Sequence, residues 1–519
     1  MGKKIQDEDK MKETTMTEEL DKKTSYPDKI EKPSLFFALA PIVLTIILVA
    51  MQVFYYDDVS PHIPLAIGVV ITALFGWYRG YKWKDMQEGM FNVIHVGLPA
   101  IFIIYIIGMI IGVWIQSGTV PLMIYYGLQV LDPSLFLFSA CLLCSVVSVT
   151  TGTSWGTTGT MGLALIGIGE GLGVPSYMTA GAVVSGAFFG DKISPLSDTT
   201  NLSPAVVGSD LFTHIKNMIP VTLPAMVIAL GVYLYVGMSF GDGVIEQTKL
   251  DITMQSLESQ FSLSPLLLIP AIIVTILAVM KMPAIPGLFT GVIIGAACAM
   301  IFQGVTVHEV FNAMLNGYKS NTGVAEVDSL LSKGGVMSMN WTITLILIAF
   351  SFGGILESTR CLETILDRIM QFAKTQAKTM LSGLASVFGV HVVTGDVFIA
   401  MALPGRMLAP AFRGKGIHVT ALSRSMEDAG TLTAPLIPWS SGAVFVTGAL
   451  GVATLDYLPW AIACWCSLFI DVIYSVTGMF IPKATEEDYL QWQERDEAIL
   501  IDGVLTSGSQ INKSVLPQA

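Results

Sequence analysis

Apolar residues in this chain gather in runs longer than a soluble core requires. The clearest are Leu35–Phe54, Ile94–Ile115, Leu135–Val149, Ile219–Val236, Leu263–Met280, Ile285–Phe302, Ile343–Leu356 and Leu458–Ile481. Most approach the roughly 20 residues that carry a helix across a bilayer. Shorter or interrupted runs lie between them, at Pro64–Tyr78, Gly159–Leu172, Tyr177–Gly190, Thr379–Val393, Val397–Leu408 and Ser440–Ala453. No period-two alternation of the kind that marks barrel strands is visible. Backbone polar groups in hydrocarbon must be satisfied internally, so these runs predict helices. Complete and interrupted runs together predict an all-α polytopic membrane protein with about 11 to 14 crossings.

Two regions break the apolar pattern in the same way. The first reads SVTTGTSWGTTGTMG (Ser148–Gly162), then AFFGDKISPLSDTTNLSP (Ala187–Pro204). The second reads VVTGDVFIAMALPG (Val392–Gly405), then SRSMEDAGTLTAPLIPWSSG (Ser423–Gly442). Thr151-Gly152…Gly162 aligns with Thr394-Gly395…Gly405 at an offset of 243 residues. Gly190…Pro195-Leu196 aligns with Gly430…Pro435-Leu436 at 240, and GVWIQS from Gly112 aligns with GGILES from Gly353 at 241. Each match is short, but their common order and spacing predict a duplicated half. Paired discontinuous helices in internal repeats are characteristic of secondary transporters, whose sites lie at the midplane between repeats. The expected organisation is a disordered N-terminal tail (1–34), a first half (35–240), a connecting loop (241–262), a second half (263–482) and a C-terminal tail (483–519). The halves are expected to be inverted.

Composition agrees with this picture. Of the 519 residues, 53% are hydrophobic and 13% charged, where a soluble domain carries about 25% charged residues. The net charge of −12 argues against nucleic acid as a partner, because phosphate backbones need clustered Lys and Arg. Residues 1–34 hold eight Lys against nine acids, and the last 37 residues hold three basic residues against seven acids. That leaves 17 basic and 24 acidic residues in the body. Basic stretches at Arg79, Lys82 and Lys84, at Arg360, Arg368, Lys374 and Lys378, and at Arg406, Arg413, Lys415 and Arg424 predict cytoplasmic loops. Asp57-Asp58 is acidic, and residues 239–262 carry four acids against one Lys. Both termini are expected in the cytoplasm. Six Cys lie in apolar surroundings without a metal-like spacing and read as packing residues.

An ionisable side chain at membrane depth is costly, so each one is a candidate for function. Asp198 sits among Ser197, Thr199, Thr200 and Asn201, the oxygen-rich setting that a hard cation prefers. Asp396 follows Thr394-Gly395, and its counterpart in the first half is Thr153. Glu427 and Asp428 precede Gly430 in the last broken segment. Asp198 and Asp396 are therefore expected to hold Na+ or a proton, with Glu427 or Asp428 as second titrating group and with Ser197, Thr199, Thr200 and Thr153 supplying neutral oxygens. The competing structural readings are pairing of Asp191 with Lys192, of Glu427 or Asp428 with Arg424, and of Glu357 with Arg360. His391, five residues before Asp396, could respond to pH, although a hydrogen-bonded structural role is the plainer reading. Neither a Walker loop nor a zincin or serine-hydrolase motif occurs, so ATP-driven and hydrolytic chemistry has no sequence support.

GTSWGTTGTMG, GDKISPLSDTTNLSPAVVG and SRSMEDAGTLTAPLIPWSSGAVF together resemble the NhaC family of bacterial Na+/H+ antiporters. The resemblance runs from about Leu35 to Pro482. It implies a secondary transporter of the bacterial plasma membrane that needs no cofactor and carries Na+ and H+. The family includes a malate–lactate antiporter, so an organic acid is the alternative substrate. A carboxylate substrate would want a buried cation, for which Arg424 is best placed and Arg406 second. A homo-oligomer is compatible with this reading.

Overall fold

A computed structural model describes residues 31–56, 60–241, 247–280, 282–501 and 504–506. The expected tail up to residue 30 and the Asp57-Asp58 pair lie outside the described residues. The rest is helical, with one small exception near the C-terminus.

The chain opens with α1 (Leu35–Tyr55), capped by Ser34, and α2 (His62–Tyr78). The long α3 (Trp83–Gln116) leads to α4 (Thr119–Val130) and α5 (Pro133–Thr151). A one-turn helix α6 (Ser154–Thr157) passes through a π-turn at Thr158–Gly162 into α7 (Leu163–Gly171). Then come α8 (Ser176–Ile193), α9 (Asp198–Val207) and α10 (Leu211–Gly241). The expected connecting loop contains a helix, α11 (Gln247–Gln260), followed by α12 (Ile269–Val279), α13 (Ala284–Gln303), α14 (Val307–Asn316) and α15 (Ala325–Leu331). The second series runs α16 (Asn340–Ser358), α17 (Cys361–Met370), α18 (Gln376–Thr394), α19 (Val397–Gly414), α20 (Thr420–Ala429), α21 (Ser441–Leu450), α22 (Thr454–Tyr457) and α23 (Ile462–Thr477).

Among the described residues, seven helices are long and apolar enough to cross a membrane: α1, α3, α5, α10, α13, α16 and α18. Two bent pairs bring the number to nine, and α2 and α23 are shorter apolar helices. The larger expected count includes the interrupted runs: Thr379–Val393 lies in α18, one of the seven, whereas Gly159–Leu172 and Ser440–Ala453 do not form single long helices. Phe36, Trp77, Tyr235 and Ile301 are each more than 70% exposed on the outside of the bundle, the inverse of a soluble surface. Lipid is the solvent that such a surface requires.

The helix ends repeat. Gly152 closes α5 at φ 70° and Gly395 closes α18 at φ 66°, both left-handed conformations that glycine adopts without a Cβ clash. Gly118 before α4 and Arg360 before α17 are also left-handed. Ser197 precedes α9 and Ser440 precedes α21, again 243 residues apart. The packing repeats too. A Cβ on Gly162 would meet Val183 at 2.8 Å and Leu450 at 3.0 Å. A Cβ on Gly405, 243 residues later, would meet Val206 at 2.6 Å and Met426 at 3.0 Å. Each glycine thus touches one residue from its own series and one from the other.

Small residues also bring α5 and α8 together. On α8, a Cβ at Gly190 would meet the Ser145 carbonyl oxygen at 2.6 Å and the Val149 nitrogen at 2.7 Å. Gly186, one turn earlier, faces Cys144. Small residues four apart let helix backbones approach in lipid, where hydrophobic collapse supplies no drive. Backbone atoms cannot move aside, so Gly190→Ala is expected to cost about 1–3 kcal/mol. Thermal unfolding of the purified protein in detergent checks this.

The expected solvated C-terminal tail is folded, up to the last described residues. Helix α24 (Glu486–Glu494) starts with a Thr485/Asp488 capping box. A hairpin of β1 (Ile499–Ile501) and β2 (Val504–Thr506) follows, antiparallel with Leu500 opposite Leu505. Tyr489, Trp492 and Ile499 are buried against the α18–α20 core. Acidity made this segment read as a tail. Its few aromatic and aliphatic side chains dock it.

Candidate ion site

The two broken regions meet in the interior. In the first, Thr153 caps α6 by accepting the Gly156 N–H at 3.1 Å. In the second, the Asp396 carboxylate caps α19 by accepting the Ile399 N–H at 2.8 Å. The two residues expected to correspond therefore hold the same cap position after the same left-handed glycine. Asp396 is buried, and Glu357 lies within electrostatic reach of it and of Arg406. Arg360 bonds Glu363 at 2.6 Å.

Where α8 ends, hydroxyls take up the freed carbonyls. Thr200 Oγ1 donates to the carbonyls of Asp191 (3.0 Å) and Lys192 (2.9 Å), and Ser194 Oγ donates to Val149 (2.7 Å). Ser197 Oγ and Thr199 Oγ1 share a hydrogen bond of 3.1 Å. Asp198 itself is exposed on the first turn of α9. The carboxylate that points into the protein from this break is Asp191, which accepts from Ser154 Oγ at 2.6 Å.

Helix α20 supplies the opposing groups, because its charged residues face inward. Glu427 is fully buried and accepts from Ser203 Oγ of α9 at 2.7 Å. Asp191 and Lys192 are both within its electrostatic reach. Its second oxygen is buried, and the Thr431 hydroxyl lies close enough to act on the carboxylate as a hydrogen-bond neighbour.

The pairings expected from sequence proximity give way to pairings across helices. Lys192 Nζ binds Asp428 Oδ1 at 2.5 Å and Ser467 Oγ at 3.1 Å. Asp191 is thus not the partner of its neighbour. Arg424 binds Asp471 Oδ1 at 2.8 Å and the Phe480 carbonyl at 2.8 Å, and Ser425 Oγ adds a bond to Asp471 Oδ2 at 3.2 Å. Both ion pairs are fully buried. Each joins α20 to another helix, whereas an i, i+3 or i, i+4 pair would have stayed within it. Asp471 was missed from the candidates. A single acid inside the run Leu458–Ile481 was the available signal. His391 bridges Thr433 Oγ1 (3.0 Å) and Ser440 Oγ (3.2 Å), holding the two ends of the second break.

These groups fall into two kinds. Asp428 and Asp471 each have a cation. Asp191 and Glu427 accept from hydroxyls instead. Carboxylate and hydroxyl oxygens form a donor set suited to a small hard cation or a proton.

The signature of the Na+/H+ antiporter family matches residues 30–200 and 186–479. The Na+/H+ antiporter NhaC of Alkalihalophilus pseudofirmus is 38% identical over 446 residues, covering 86% of this chain and 96% of the relative. The malate-2H+/Na+-lactate antiporter of Bacillus subtilis is 35% identical, covering 87% of this chain and 96% of the relative. The arginine/ornithine antiporter ArcD of Halobacterium salinarum is 37% identical, covering 87% of this chain and 93% of the relative. With the family signature across most of its length and relatives at these identities, the chain belongs to the Na+/H+ antiporter family.

Proposed function

We propose that this protein exchanges Na+ for H+ across a bacterial plasma membrane by alternating access, with Asp191 and Glu427 at the centre of the ion site. The observation that carries this reading is the placement of these two buried carboxylates. They come from different broken regions, and their bonded partners are hydroxyls. Two carboxylates in one desolvated site repel when both are ionised. Either Na+ or a proton relieves that repulsion, so the two ions compete for the same oxygens. A site that releases one ion before binding the other, and that opens to each face in turn, exchanges them. The repeated caps and crossed glycine contacts support two inverted halves, 35–240 and 263–482, rocking about this point. The N-terminus lies in the cytoplasm in this reading.

Asp198 and Asp396 take supporting roles. Asp198, on the exposed face of α9, draws cations towards the interior. Asp396 holds the start of α19 and, with Glu357, adds negative potential. Asp198→Asn is expected to raise the half-saturating Na+ concentration by roughly tenfold, as loss of steering does. The maximal rate stays near that of the parent. Measuring exchange against Na+ at two ionic strengths checks this. Loss of maximal rate would instead make Asp198 the ion ligand.

The alternative is an organic-acid exchanger. It needs a cation that is free to meet a carboxylate, and among the described residues the two fully buried cations, Lys192 and Arg424, already hold aspartates. Proteoliposomes with an imposed Na+ gradient and an internal pH dye test the two readings together. Na+-dependent proton movement without organic acid supports Na+/H+ exchange. Movement that requires malate or lactate sinks it.

A further inference from the structure

The pseudo-equivalent ends of the two series differ in one respect. Helix α9 closes on left-handed Gly208 and α21 on left-handed Gly451, 243 residues apart. Beside Gly208 stands Arg413, on the last turn of α19. Its counterpart 243 residues earlier is Glu170, which is exposed at the end of α7.

Arg413 is buried and works as a multiple clamp. Its Nη2 donates to the Val207 carbonyl, the last residue of α9, at 2.9 Å. Its Nη1 donates to the Ala498 carbonyl at 3.0 Å, and its guanidinium pairs with Glu497. The same guanidinium lies 5.6 Å from the Trp492 ring centre, within cation–π range. Ala498, Glu497 and Trp492 all belong to the C-terminal segment. That segment is secured again by the Ile417–Lys483 bridge, the Ala484 N–H to Gly416 carbonyl bond and Asp488 beside His418.

We infer that Arg413 is a positioning residue, and that residues 484–501 form a strap acting through it to hold α9 against α19 and so to bias which face of the protein is open. The warrant is asymmetry. Alternation between inverted halves should exchange the environments of α9 and α21. Among the described residues this arginine clamp stands at the α9 end, whereas the α21 end has Lys333 near Gly451, so the conformation that keeps α9 and α19 together gains contacts that its mirror lacks. The effect reaches the ion site through α9, which carries Ser203, the hydroxyl that bonds Glu427.

The inference rests on the proposed exchange, so its test has two readouts. Exchange is measured in proteoliposomes for the full chain, a chain ended after Lys483, Glu497→Gln, Arg413→Gln and the Arg413→Gln/Glu497→Gln double variant. The half-saturating Na+ concentration should move in one direction in all of them, by about 2- to 30-fold, the range of coupling carried by such contacts. The double variant should shift no further than Arg413→Gln alone. Additive shifts, or a truncated chain with the parent's Na+ dependence, overturn the inference. Glu497→Gln removes one partly exposed charge and leaves Trp492 in place, so it keeps the test open if truncation prevents folding. The second readout needs no transport. Ala205 is exposed on α9 and all six native cysteines are buried, so Ala205→Cys reports access to a water-soluble thiol reagent. Its labelling rate should change when the strap is removed, and an unchanged rate overturns the strap. If the full chain moves no protons with Na+, the exchange proposal falls, and the labelling rate still decides the strap.

Discussion

Glu427→Gln is expected to abolish Na+-driven proton movement while leaving the protein folded, and Asp191→Asn is expected to do the same. Glutamine keeps the size of Glu427 and can still accept from Ser203 Oγ. It cannot take up or release a proton, and it leaves one net charge fewer to attract Na+. A neutral amide in place of a buried carboxylate also removes desolvation cost, so stability should hold or rise. Function and fold then separate cleanly. Exchange in proteoliposomes should fall to the level of empty vesicles, while the thermal midpoint in detergent stays at or above the parent's. If Glu427→Gln exchanges at the parent's rate, the site is misplaced, and Asp198 with Asp396 becomes the next candidate set.

Lys192→Met should have the largest effect on stability. Lys192 and Asp428 are both fully buried and closed by Ser467. Removing the ammonium leaves Asp428 as an uncompensated charge among helices α8, α20 and α23. Breaking one side of such a pair typically costs about 3–5 kcal/mol, much of it the desolvation of the abandoned partner. The single variant should therefore accumulate poorly and unfold at markedly lower temperature. A Lys192→Met/Asp428→Leu double variant removes the abandoned charge and should recover most of the loss. If the double variant is no better than the single, the pair's contribution is not electrostatic. The same logic applies to Arg424 and Asp471, with one difference. Arg424 also donates to the Phe480 carbonyl, so a double replacement there still orphans a backbone oxygen.

Much of this architecture was legible because it follows from local rules. Length and hydrophobicity of the runs marked the helices, since a bilayer leaves the backbone few choices. Gly152 and Gly395 betrayed the duplicated break, because a left-handed cap after a helix favours glycine at a set position. The same alignment paired Thr153 with Asp396 as expected ion-site oxygens, and the structure uses both as helix caps. What proximity in sequence misjudged was partnership. Asp191 is covalently next to Lys192, yet Lys192 reaches Asp428, 236 positions away. Neighbours on a helix point in different directions, so adjacency says little about contact at membrane depth. Asp198 attracted attention through its hydroxyl-rich setting. Those hydroxyls turn to one another and to the carbonyls freed at the end of α8, and Asp198 lies within electrostatic reach of Asp191. The C-terminal segment misled through composition, because three aromatic and aliphatic anchors outweigh seven acids once they find a groove.

By itself, then, the sequence determined the solvent this protein lives in, the helices that solvent demands, and the short list of acids that could carry an ion. Each is settled within a few turns of chain. Only the tertiary structure decided which acids are paired with a cation. That depends on which helix faces meet. Burying a charge without a partner is costly enough that Lys192 and Arg424 are held by the aspartates packed against them, while Asp191 and Glu427 accept from hydroxyls.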